Sequence, residues 1–117
     1  MTTYTGKQYD QGVGGQTVLR DGVPLSPGPS RQLWNHSPDG FNWGYGGSGP
    51  AQLALALLLD VTHDEELSVR LHQRFKWSMV AKLGPDWELT SDLIKAWVKE
   101  ELERELWRGG TLAWPTR

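Results

Sequence analysis

The chain has 117 residues, enough for one domain with its own core, and no cysteine, which excludes a disulfide framework, thiolate metal ligation and cysteine chemistry. Lys+Arg number 12 and Asp+Glu 14, so the net charge of −2 argues against a broadly basic nucleic-acid binder. The unusual count is tryptophan, at 7.

Met1-Thr2-Thr3-Tyr4 lacks the basic region and apolar run of a targeting signal. The longest apolar stretch, Leu53 to Leu59, falls well short of the ~20 residues a bilayer span requires. The expectation is a cytoplasmic protein without a membrane segment.

Residues 1–49 hold most of the glycines and read as strands and turns. A short strand is expected within Tyr4 to Tyr9. Gln16 to Arg20 then meets Val23 to Ser26 across Asp21-Gly22, a pair suited to the positive φ of a two-residue hairpin turn. Pro24 cannot donate to a ladder and marks an edge. Ser26-Pro27-Gly28-Pro29-Ser30 reads as a loop. Phe41-Asn42-Trp43-Gly44-Tyr45 reads as a strand with Phe41, Trp43 and Tyr45 on one face.

Three helices are predicted, at about 50–60, 64–83 and 91–107. The first is capped by Ser48 or Gly49, with Pro50 in its first turn, and is apolar all round, which marks a central buried helix. The second begins with Asp64, Glu65 and Glu66 and carries the ridge Leu67, Leu71, Phe75, Met79 and Leu83. The third is capped by Thr90 or Ser91 and buries Ile94, Trp97 and Val98. Glu101 and Glu105 fall within its apolar stripe. Burying two carboxylates is costly, so the helix is expected to leave the core after Val98 and to expose Leu102, Leu106 and Trp107. Neither half carries enough apolar surface alone. The fold class is therefore α+β, a small antiparallel sheet packed on three helices in one domain, 1–117, with a tail at 108–117.

Gly44-Tyr45-Gly46-Gly47-Ser48-Gly49-Pro50 sits between a predicted strand and a predicted helix. The glycines read first as a device for close approach of strand and helix. The functional alternative is a phosphate or signalling nucleotide held by Gly46, Gly47, Ser48 and Gly49 at the helix N-terminus. A dinucleotide site lacks its βαβ unit, a phosphate-binding loop of the lysine type lacks its lysine, and Ser48 is followed by Pro50 where a nucleophile elbow needs glycine. His36, His63 and His72 show no metal-ligand spacing, and His63 and His72 fall on opposite faces of one predicted helix. No metal, cofactor or catalytic residue is expected. Trp43, Trp87 and Trp97 fit core positions. Trp34, Trp77, Trp107 and Trp114 lie in loops, on polar faces or in the tail. With Leu102 and Leu106 they form a candidate protein interface, unless the tail folds back over its own domain.

The run from Gly40-Phe41-Asn42-Trp43-Gly44-Tyr45-Gly46-Gly47-Ser48-Gly49-Pro50 into Ala51-Gln52-Leu53-Ala54-Leu55-Ala56 resembles an uncharacterised family of small proteins from bacteriophages, plasmids and some prokaryotic genomes. Tyr4-Thr5-Gly6, Phe75-Lys76 and Trp87-Glu88-Leu89-Thr90 fit the same pattern, so the resemblance spans residues 4–99. It implies a mobile-element setting and, with no established activity in the family, carries over no catalytic residues. The expectation is a non-enzymatic binding protein acting on a host protein, such as a defence or transcription component. Homo-oligomerisation through the last helix is compatible with it, and nucleic acid is not the expected partner.

Overall fold

The computed structural model describes residues 1–107, so the tail and Trp114 lie outside the described residues. Four strands form one antiparallel sheet: β1 (Thr3–Lys7), β2 (Val18–Arg20), β3 (Val23–Pro24) and β4 (Asp86–Thr90), in the order β3-β2-β1-β4. Asp21 (φ 49°) and Gly22 (φ 82°) make the expected hairpin turn. β4 was not expected as a strand. It pairs with β1 in the register Tyr4 to Leu89 and Gly6 to Trp87. Tyr4, Val18, Trp87 and Leu89 point inward, as strand alternation requires. A Cβ on Gly6 would overlap the Trp87 indole, so glycine admits the larger ring across the strand pair.

The helices are α1 (Gly28–Leu33), α2 (Ser48–Thr62), α3 (Glu65–Ser78) and α4 (Ser91–Glu105). α1 begins within the segment expected as a loop. Proline is tolerated in a first helical turn, where its missing N–H costs nothing, so Pro29 starts a helix instead of blocking one. α2 is the central helix: Gly49 to Leu58 are all buried, and α1, α3 and α4 pack around it. The second predicted helix is broken. α3 stops at Ser78 and a separate 3₁₀ turn covers Val80–Lys82. At its other end α3 begins only at Glu65, and α2 runs on to Thr62, so His63 is the left-handed C-cap of α2 (φ 55°) and shares no helix with His72.

Two other expectations are corrected. Phe41 to Tyr45 is no strand: Phe41 makes a lone bridge to Gln16, and Gly44 (φ 85°) turns the chain so that Tyr45 faces solvent while Phe41 and Trp43 stay buried. The last helix also does not leave the core at Val98. Glu101 is only 5% exposed because Arg74 of α3 reaches it at 3.3 Å, and Leu102 still packs against the core. Asp64 caps α3 and Thr90 caps α4 through side-chain oxygens. α2 starts after Gly47 without a side-chain cap from Ser48 or any other residue.

Candidate functional site

Gln52 organises the region in front of α2. It is wholly buried, and its Oε1 accepts the backbone N–H groups of His36 (2.8 Å) and Ser37 (3.1 Å). Its Nε2 donates to Ser30 Oγ at 2.9 Å, which in turn donates to Pro27 O. One amide side chain therefore fixes both α1 and the loop that follows it.

That loop carries His36 onto His72 of α3. Their Nε2 atoms lie 2.9 Å apart. The ring centres are 5.0 Å apart, longer by about one ring radius at each end, so the two nitrogens point at each other. This is the arrangement of a hydrogen bond; two ligands of one metal would converge on a point off that line. The backbone resolves the tautomer. Val69 O can only accept, so His72 Nδ1 (2.5 Å away) carries a proton and His72 Nε2 offers its lone pair to the Nε2–H of His36. Burial lowers the pKa of both rings, and the nearby Lys76 ammonium lowers both further; the His72 bond to Val69 works in the opposite direction.

Trp34 stacks on His36 with ring centres 4.6 Å apart and meets His72 edge-on at 5.5 Å. One turn along α3, Lys76 is nearly buried, with its ammonium 4.5 Å from the centre of the Trp77 ring. No carboxylate among the described residues pairs with it. Trp77 lies over Gly46, where a Cβ would overlap its six-membered ring. Trp34, His36, His72, Lys76 and Trp77 thus make one strip, with Trp34 49% and Trp77 59% exposed at its ends.

The other candidate residues divide. Gly47 packs beside the Tyr45 ring, whereas Ser48 and Gly49 border a cavity. Leu106 and Trp107 are exposed, but they follow Glu105, which binds Arg70 (2.5 Å) and Arg74 (2.7 Å). Arg70 lies nearly two turns before Trp77 on α3. Leu102 is part of the core margin. Trp34 and Trp77 belong to the strip, and Leu106 and Trp107 follow the Arg70 and Arg74 ion pairs at the end of α4. The His36–His72 contact was missed, because neither ring has a partner at helical spacing.

Among the described residues no helix is long and apolar enough to cross a membrane, and no three His, Asp or Glu side chains gather as a metal set. The molecule is a small α+β protein marked by an aromatic and imidazole strip at the edge of its central helices. It belongs to the Family of unknown function (DUF6166), whose pattern matches residues 4–100 and so includes the strip. No curated protein and no solved structure matches the chain.

Proposed function

We propose that this is a non-enzymatic binding protein that engages a partner protein through the strip from Trp34 to Trp77. The observation that carries this reading is the pair of half-exposed tryptophans held in fixed positions, one by the His36–His72 contact and the other by Gly46 and Lys76. Large, rigid aromatic side chains lose little conformational freedom on binding and dominate interface energetics. Lys76 lies between them without a carboxylate, so a partner that brings an acidic group is favoured. The mobile-element setting implied by the Gly40 to Ala56 block makes a cytoplasmic host protein, such as a defence or transcription component, the partner to seek.

The test is affinity capture from host lysate with the full chain, the Trp34→Ala variant and the Trp77→Ala variant, each verified as folded. A specific partner retained by the parent and lost by both variants supports the reading. A partner that both variants retain overturns it.

A further inference from the structure

The cavity at the start of α2 carries an inference independent of the aromatic strip. It measures about 190 Å³, and Ser37, Asp39, Tyr45, Ser48 and Gly49 are among its lining residues. In α2 the N–H of Ala51 bonds to Gly47 O, Pro50 has no N–H, and the N–H groups of Ser48 and Gly49 precede the first intrahelical bond. No side chain caps them. A second observation comes from another residue of the lining. Ser37 is only 8% exposed and its N–H is taken by Gln52, yet its hydroxyl makes no hydrogen bond among the described residues. That hydroxyl is open to solvent.

We propose that this cavity binds a small oxyanion, the phosphate group of free phosphate or of a phosphate ester. The N–H groups of Ser48 and Gly49 and the hydroxyls of Ser37 and Ser48 are its donors. The α2 dipole, positive at this end of a 15-residue helix, favours negative charge here. The lining offers no lysine or arginine, and Asp39 opposes an anion. Binding is therefore weak, and the charge of Asp39 limits it. Of the loop residues, only Ser48 and Gly49 serve the ligand; Gly46 and Gly47 accommodate the Trp77 and Tyr45 rings.

The test is titration of the ¹⁵N-labelled full chain with inorganic phosphate at constant ionic strength, following the Ser48 and Gly49 amides. Saturating shifts at these two amides are expected. Ser37→Ala should weaken the affinity about threefold, on the scale of one neutral hydrogen bond. Asp39→Asn should tighten it about fivefold by removing a repulsive charge. Ser48→Pro removes two donors, the N–H and the hydroxyl, at a position where helices accept proline, and should weaken it about tenfold. Tighter binding of phenyl phosphate or a nucleoside monophosphate identifies an ester as the ligand, and equal binding identifies free phosphate. Shifts that do not saturate overturn the proposal, as does an affinity unchanged by both Ser37→Ala and Asp39→Asn, whose folds leave the α2 backbone untouched.

Discussion

The side-chain carbonyl of Gln52 accepts the backbone N–H of His36 at 2.8 Å, so the most buried helix of the protein directly fixes the position of a surface ring. Gln52→Leu keeps the volume and removes every bond. The N–H groups of His36 and Ser37 lose their acceptor, and Ser30 loses a donor. The expected loss is about 2–4 kcal/mol, from one buried and one part-buried N–H left unsatisfied. Urea denaturation of the variant measures it.

The His36–His72 pair makes stability depend on pH in a defined direction. Both folded-state pKa values are lowered below the ordinary 6.5, so the unfolded chain binds protons more readily. The stabilisation is present above pH 6.5 and is lost as the pH falls through the lowered folded values. His72→Phe removes a proton acceptor while keeping a ring against Trp34. Its midpoint temperature should fall less than the parent's between pH 7.5 and 5, as read by calorimetry.

Glu101 and Arg74 should respond asymmetrically to mutation. Arg74→Met leaves a 7%-exposed carboxylate without its interhelical partner, whereas the 43% exposure of Arg74 itself screens the pair. A loss of about 1–3 kcal/mol is expected, below the value for a fully buried pair. Glu101→Gln can still accept a bond from Arg74 and should cost less. Glu105 adds a pH signature: its bond to Arg70, and less strongly that to Arg74, lowers its pKa, so its contribution is present above the ordinary carboxylate value and is lost in acid. Chemical denaturation of both variants at pH 7 and pH 4 separates these contributions.

Gly46→Ala tests how Trp77 is held. The added methyl overlaps the indole, and an exposed ring has room to move. The expected result is a changed near-ultraviolet circular dichroism spectrum with a stability change under about 1 kcal/mol, because the backbone elements are untouched. A stability loss as large as a core truncation would show that the loop itself had been displaced.

Local signals made much of this fold legible. Asp21-Gly22 announces its hairpin, Asp64 and Thr90 announce their helices, and the unbroken apolar run after Pro50 announces a buried helix. β4 was not legible, because Asp86–Thr90 is short and its strand partner, Thr3–Lys7, lies near the other end of the chain. The same separation hid the contacts that matter most at the site. His36 meets His72, and Arg74 neutralises Glu101, only because α3 lies between the loop and α4. Burying a carboxylate is costly when its neighbours are unknown. Knowing that an arginine faces it reverses the conclusion.

The place of β1 has a consequence for synthesis. This strand lies between β2 and β4, and it is tied to the start of α4 by Ser91 N–H to Thr2 O (2.8 Å) and Thr2 N–H to Ser91 Oγ (2.9 Å). During translation the first strand emerges early, yet its second neighbour is made only when residue 90 has been added. One edge of β1 therefore stays open until a pairing forms that closes a long loop, its ends at Thr2 and Ser91 lying 89 residues apart.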